Sequence, residues 1–401
     1  MLFAGIDIAK YDHVIGAIDE RGRSLSKPMT FKNSTSGFEK CAAYLGGLSD
    51  DKTEIIVGME ATGHYWLACF CFLTEQGFNV VVINPMRTDA MRRFKNLGKV
   101  KTDATDCAII ADTLRCGDFE PSKLADGKMM SLRQMTRLRQ AITEDIADLK
   151  RQVIVALDQV FPEYARLFSD TFGETSKAFL KRCPTPEECM DIDVRTLANL
   201  LDKASRGKLG REKADELKAA AKSSCGITLA SDAFSFQIKL LAKQIEFIEG
   251  QLAEVDKKVK SLLDEIEPLI LTIPGISYKL GAQIVAEIGD VKRFGNAPAI
   301  VKYAGINPSK NQSGVFEGEV NHITKQGSPY LRRALYLAAM AQLKCKTPLY
   351  DYYVKKRGEG KAHREALIAV ARKLVHVIYA VLSKQEPYDP TYTHPTASTT
   401  L

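Results

Sequence analysis

The sequence predicts an α/β domain at the N-terminus, a long helical middle region and a mainly α C-terminal domain. Three observations carry this. Strand-like and helix-like segments alternate through residues 1–128, apolar residues recur at helical spacing from Leu138 onward, and beyond Val301 a loop bearing Gly and Asn runs into further amphipathic helix. A chain of 401 residues, 45% apolar and 26% charged, has ordinary globular composition and room for two or three cores. The N-terminus runs straight into strand-like sequence, so no signal peptide is expected, and no apolar run is expected to reach the length of a membrane span. Nine cysteines lie scattered without metal-ligand spacing, Cys69 and Cys71 being too close for CxxC, which reads as reduced thiols in a cytoplasmic protein. The net charge of +7 hints only mildly at a polyanionic partner. Its distribution says more, with basic residues gathered at Arg87, Arg92, Arg93, Lys95, Lys99 and Lys101 and again in the C-terminal third.

In chain order, Leu2 to Ile8 and His13 to Ile18 are expected as strands joined by a short hairpin, followed by a turn at Arg21-Gly22. Phe38 to Leu48 has helical spacing and Glu54 to Met59 reads as a strand. Tyr65 to Gln76 reads as a helix closed by Gly77, and Asn79 to Ile83 as a strand ending before Asn84-Pro85. In layered sheets of this kind functional side chains collect at strand ends, where Asp7 and Glu60 fall.

The stretch VKTDATDCAIIAD places Asp103 and Asp106 three residues apart at the start of a helix, on one face. A lone DxxD is ordinarily an N-cap followed by a solvated face. Here it keeps company with Asp7, inside the apolar run LFAGIDIAK, and Glu60, which ends EIIVGME. Isolated buried carboxylates cost several kcal/mol and usually have a partner or a metal.

The segments GIDIAK, MEATGHYW, VINP and KTDATD, in this order, resemble the N-terminal domain of the DEDD transposases, a family of bacterial insertion-sequence recombinases that includes pilin-gene invertases and bridge-RNA-guided recombinases. The resemblance implies an RNase H-like (RuvC-like) fold and assigns Asp7, Glu60, Asp103 and Asp106 as an acidic tetrad that binds Mg²⁺ or Mn²⁺. Asp112 is the alternative for the fourth acid, but it lies outside the family's TDxxD pattern and is expected on the helix surface.

From Ser131 the chain turns helical. Residues 129–268 are expected as a coiled-coil region for dimerisation or higher self-association, interrupted at 163–230 by an insertion of two smaller helical patterns without assignable chemistry. The seam Ile238, Leu241, Ile245, Ile248, Leu252, Val255, Val259, Leu262 and Ile266 alternates three- and four-residue steps. The alternative is an intramolecular hairpin on residues 131–160.

Residues 269–388 form the third expected domain. Its start, LILTIPGISYKLGAQIVAEIG, resembles a helix-hairpin-helix element that would present backbone amides to a DNA phosphate; a plain αα corner is the alternative. The stretch 301–340 resembles the C-terminal domain of the same transposases, which implies a nucleophilic serine at Ser313, next to Gly314. Ser309, after Pro308, and Ser328, readable as the N-cap of a helix starting at Pro329, are the competing serines. Candidate phosphate contacts are Arg92, Arg93, Lys101, Lys279, Lys310, Lys325, Arg332 and Arg333. The basic pattern Lys361 to Leu382 is the last helix, and 389–401 is expected as a disordered tail.

The resemblance therefore implies a cytoplasmic, nucleoid-associated bacterial enzyme that cuts and rejoins donor and target DNA through a serine–DNA intermediate, with no membrane partner. A structured guide RNA is an expected partner, fitting a chain rich in backbone-binding charge without a recognisable base-reading module. Two rivals are a hydrolytic junction resolvase using the tetrad alone and a nucleotide-binding protein of the actin and sugar-kinase fold, which should carry a phosphate-binding glycine loop after a second DxG strand. A non-catalytic nucleic-acid binder leaves the acids without purpose, since acids oppose phosphate binding.

Overall fold

A computed structural model describes residues 1–61, 63–95, 103–117, 119, 126–309, 312–313, 316–317, 322–345 and 347–390; the side chains of Asp103, Ala104 and the residues of 312–317 lie outside that description. The chain divides into two compact units, Met1–Leu124 and Ala125–Leu401.

The first unit is a five-stranded mixed sheet with helices on both faces. Its elements are β1 (Leu2–Asp7), β2 (Asp12–Ile18), β3 (Met29–Lys32), α1 (Thr35–Gly46), β4 (Ile55–Glu60), α2 (Trp66–Glu75), β5 (Asn79–Ile83), α3 (Pro85–Phe94) and α4 (Asp103–Cys116). The strand order is β3-β2-β1-β4-β5, with β1, β2 and β3 antiparallel to their neighbours and β1, β4 and β5 parallel. Period-two alternation sorts the side chains. Ala4, Ile6, Ile15, Val57, Met59 and Val80 join Phe38, Cys41 and Leu45 of α1 and Phe70 and Leu73 of α2 in one core. Val81 and Ile83 pack on the opposite face with Ile110 and Leu114 of α4.

Two elements of this unit carry weak sequence signals. The four-residue β3 is an edge strand in which only Phe31 is buried, too short for a pattern to show. At α3, Asn84-Pro85 is not merely a strand stop: Asn84 caps the helix, accepting from the Met86 amide at 3.0 Å, and Pro85 takes the first helical position.

A row of glycines sets how closely α4 approaches. Gly5 pairs with Gly16 across β1–β2 and with Gly58 across β1–β4. A Cβ at Gly5 would overlap the Cys107 carbonyl oxygen and lie 2.7 Å from the Ala111 amide nitrogen; one at Gly16 would lie 2.9 Å from Cys107 Sγ, and one at Gly58 2.7 Å from Leu114 Cδ1. The helix therefore rests on bare backbone at the centre of the sheet.

The second unit is helical. It comprises α5 (Gly127–Val160), α6 (Glu174–Arg182), α7 (Pro186–Asp191), α8 (Val194–Ser205), α9 (Arg211–Lys222), α10 (Ser231–Asp264), α11 (Tyr278–Ile288) and α12 (Ala297–Ala304). The short strands β6 (Gln312–Ser313) and β7 (Phe316–Glu317) follow, then α13 (Pro329–Gln342), α14 (Pro348–Gly358) and α15 (His363–Lys384). The 34-residue helices α5 and α10 form an antiparallel hairpin: Val153 and Leu157 share a core with Ile238 and Leu241, whereas Leu132 near the other end meets Val259 and Leu262. Arg139–Asp256 at 2.6 Å and Lys150–Glu249 at 2.9 Å clamp it between. Of the two arrangements the heptads allow, packing within the chain is the one seen; Ile238, Leu241, Ile245, Val259 and Leu262 are buried, while Ile248, Leu252, Val255 and Ile266 are only partly covered.

Residues 163–230 hold four helices, not two. Phe179, Leu180, Leu197, Leu201 and Leu217 share their core with the α5–α10 ends, so this region completes the hairpin. A further core gathers α11, α12, α13 and α15. Contrary to the expectation that no apolar run is long enough, α15 is long and apolar enough by length and composition to cross a membrane. Leu367, Val370, Leu374, Val375 and Ile378 are instead fully buried among the other helices, and that burial is why the helix is so apolar.

Candidate active site

Strand register assembles the acidic pole of the first unit. Ile6 pairs with Met59 in parallel, so Asp7 and Glu60 are the next residues of adjacent strands and leave the sheet at one end, on the same side. The glycine row brings α4 down on β1, and the Cys107 thiol of α4 is pushed up to about 11, chiefly by burial and then by the charge of Asp7. Glu60 Oε2 accepts from the buried Thr88 hydroxyl at 2.9 Å, and that hydroxyl lies 2.8 Å from the Pro85 carbonyl. Thr88 thereby ties the end of β4 to the first turn of α3.

A cation already answers this pole. Arg92, in the last turn of α3, places Nη2 2.7 Å from Asp106 Oδ1 and Nη1 2.7 Å from Asp89 Oδ1. The Asp106 bond first, then the charges of Asp106, Asp89 and Glu60, holds its guanidinium above the ordinary arginine range. Its side chain is 14% exposed, and its Nε is buried without a hydrogen-bond partner among the described residues. Arg92, one of the candidate phosphate contacts, is here paired with Asp106 and Asp89.

Asp103 is the first residue of α4, and its side chain lies outside the described part. Among the described residues, no group of three or more His, Cys, Asp or Glu is placed to hold a metal ion. The donor chemistry nonetheless suits a hard divalent cation, being carboxylate oxygen throughout and already drawing a positive group. Asp112 is a correction. Far from a surface residue, it is 4% exposed and paired with Lys95 and, at 3.0 Å, with Arg115, because α4 turns that face inward.

In the second unit the loop bearing Ser313 is a hairpin with a fixed stem. The Ser309 amide donates to the His322 carbonyl at 2.7 Å, Thr324 N to Asn307 O at 3.0 Å, and Lys325 N to Gly305 O at 3.0 Å. Gly305 and Gly327 let the two legs touch, since a Cβ on either would strike backbone of the other leg. At the tip, Ser313 of β6 pairs with Phe316 of β7; the Ser313 side chain lies outside the described part. The competing serines have other tasks. Ser309 Oγ donates to His322 O at 2.9 Å, and Ser328 caps α13 by accepting from Leu331 N at 3.1 Å, as its place before Pro329 predicts. Ser328 also donates to Glu287 Oε2 at 2.8 Å. Glu287 is fully buried on α11 and receives two bonds from Arg137 of α5, at 2.7 and 3.1 Å. Sequence reasoning passed over this network because a lone Glu in an apolar helix gives no sign of its partner.

Lys101 and Lys310 lie outside the described residues. Arg93 is exposed on α3. Lys279 pairs with Asp256 at 2.6 Å and Arg333 with Glu144, each 38–40% exposed, and Arg332 donates to the Ala304 carbonyl at 3.1 Å. Lys325 holds a left-handed conformation (φ 53°) at the base of the serine hairpin. Pro274-Gly275 makes the expected turn ahead of α11, but the segment before it is only a four-residue 3₁₀ helix, Leu269–Thr272.

Comparison with known proteins gives these sites a context. A family model described as a transposase matches residues 4–162, and one described as the transposase IS116/IS110/IS902 family matches residues 267–354. An uncharacterized 44.8 kDa protein of insertion element IS116 from Streptomyces clavuligerus is 26% identical, with 97% of this chain and 96% of that protein aligned. The mini-circle putative transposase for IS117 of Streptomyces coelicolor is 24% identical over 97% of this chain and 95% of its own length. The pilin gene-inverting protein of Moraxella bovis is 24% identical over 96% of this chain and 97% of its own. Acid-bearing and serine-bearing halves are each matched in order, and the chain belongs to the insertion-element transposase family of the IS110 and IS116 type.

Proposed function

We propose that the chain is a DNA transposase or recombinase that cuts and rejoins donor and target strands through a covalent bond to Ser313. The observation that carries the reading is that Asp7 and Glu60 end adjacent strands at one pole of the sheet, where Arg92 of α3 pairs with Asp106 of α4, while the braced hairpin of the second unit carries Ser313 in its backbone pairing. The strand order and the seat of α4 support an RNase H-like first domain over residues 1–128, with 129–268 and 269–388 as the helical and serine-bearing domains.

In the proposed reaction Ser313 Oγ attacks a phosphodiester phosphorus. The Oγ–P bond forms as the bond to the leaving deoxyribose oxygen breaks, and the serine proton ends on that oxygen. Rejoining reverses these changes with a different deoxyribose hydroxyl, so bond energy is conserved. Asp7, Glu60, Asp103 and Asp106 would hold Mg²⁺ or Mn²⁺, which when bound supplies charge neutralisation at phosphate oxygens. A serine hydroxyl is a weak nucleophile near pH 7 and needs a base or a metal to take its proton. The stem hydrogen bonds, with Ser328 and Glu287 behind them, limit how far the hairpin strays.

Target choice by a structured guide RNA belongs to the same reading, since the exposed basic side chains suit backbones more than base edges. Self-association through the α5–α10 hairpin does too, resting on its partly covered middle. The protein would then act on chromosomal DNA in the bacterial cytoplasm. Denaturing a reaction of protein, Mg²⁺, guide RNA and DNA should leave DNA that migrates with protein until protease is added, and Ser313→Ala should abolish both adduct and cleavage. Cleavage that persists in Ser313→Ala without any adduct means hydrolysis by the acids alone, which is the junction-resolvase alternative.

A further inference from the structure

Arg92 is oddly placed for a residue on a basic helix end. Its guanidinium is mostly buried, held at 2.7 Å by Asp106, attracted by Glu60, and anchored on the other side by Asp89, which is 61% exposed. An exposed i,i+3 pair is a weak anchor, so the strong hold is Asp106. Among the described residues the buried Nε has no partner, although a buried unsatisfied donor is expensive and guanidinium is built to use it. Such an arrangement makes sense if a second state uses the Nε. Removing Asp106 from Arg92 frees Nη2 beside Nε, and together these make the planar two-pronged donor that matches a phosphate. Arg93 follows on the exposed side of the same turn and extends the positive surface outward.

Resting on the reading that the acids hold a divalent ion, we propose that Arg92 is the resident counter-cation of the site. It exchanges Asp106 for a nucleic-acid phosphate when the ion enters. Ion and nucleic acid then bind cooperatively through one guanidinium, and the empty enzyme resists loading with ion until a substrate backbone is present. The coupling is reciprocal, because each ligand favours the same position of Arg92.

The test is a Mn²⁺ titration of the full-length protein, following free Mn²⁺ by electron paramagnetic resonance, without and with saturating duplex DNA of arbitrary sequence. DNA should tighten Mn²⁺ binding to wild type by roughly tenfold, within the usual range of such couplings. Arg92→Gln should bind Mn²⁺ roughly tenfold more tightly without DNA, and DNA should add nothing further. Arg92→Lys keeps the charge without the fork, so it should bind Mn²⁺ weakly alone and show reduced tightening. Arg115→Gln, which loosens a different Arg–Asp pair on α4, should behave as wild type. Trp66 emission confirms that each variant is folded. Equal or weaker Mn²⁺ binding by Arg92→Gln, or DNA tightening that survives in it, overturns the proposal while leaving the metal reading intact. If wild type binds no Mn²⁺ that Asp7→Asn removes, the metal reading itself fails and takes the proposal with it.

Discussion

Gly5→Ala isolates the contact on which the acidic pole depends. The added Cβ would overlap the Cys107 carbonyl oxygen and sit 2.7 Å from the Ala111 nitrogen, where ordinary contact begins at 3.4 Å. Both obstacles are helix backbone and cannot rotate aside, so α4 must lift from the sheet by roughly an ångström. Overpacking of that kind costs about 1–3 kcal/mol. Because Asp106 rides on α4, a shift of that size should also cost on the order of a hundredfold in strand cleavage. Trp66 is the sole tryptophan and packs edge-on against Phe70 in the first unit, so its emission reports unfolding of that unit within the intact chain. Gly46→Ala is the matched control: nothing lies within 4 Å of a Cβ there, at the end of α1, and the loss of unfolded-state freedom should leave stability unchanged or raised by about 0.5 kcal/mol. A Gly5→Ala midpoint indistinguishable from wild type would refute the claim that bare backbone seats the helix.

Glu287→Ala should destabilise the helical unit by roughly 3–5 kcal/mol, because it strips the buried acceptor shared by Arg137 and Ser328, and Glu287→Gln should cost less; denaturant melts followed by far-ultraviolet circular dichroism compare them. His13 is fully buried, and burial holds its pKa below the ordinary 6.5. The stability tied to its neutral form is therefore present above pH 6.5 and lost as pH falls below it, so Trp66-monitored melts of His13→Phe should show a shallower decline over that range. At Glu163, burial raises the pKa, but bonds from the Ser224 hydroxyl and Cys225 amide outweigh it and hold the carboxyl at about 2. Its contribution is present above the unfolded value of 4.5 and lost as pH falls through about 2, and acid titration of Glu163→Gln should lack that component. Replacing Ile248 and Val255 together with Lys should lower the oligomeric mass in sedimentation; an unchanged oligomer would mean that these positions serve the intramolecular hairpin alone.

Much was legible where local rules suffice. The strand runs and their glycine-marked turns gave β1, β2, β4 and β5, and Asp7 and Glu60 stood out because carboxylates end runs that are otherwise apolar. Ser328 could be separated from Ser313 by capping chemistry alone, since Ser-Pro at a helix start has a local meaning. Four ordered motifs carried the family. Relations between distant segments were decided only in three dimensions. The heptads fix a stripe but not its partner, and α5 took it within the chain because an antiparallel helix of equal length was available. Asp112 looked like surface because helical period does not say which face the sheet will cover. The charge of Arg92 is visible in sequence, whereas its pairing with Asp106, fourteen residues away, arises only once α3 and α4 meet. Gly5, Gly16 and Gly58 each read as a small residue in a strand. Their alignment beneath α4 is a property of sheet register, which no single segment contains.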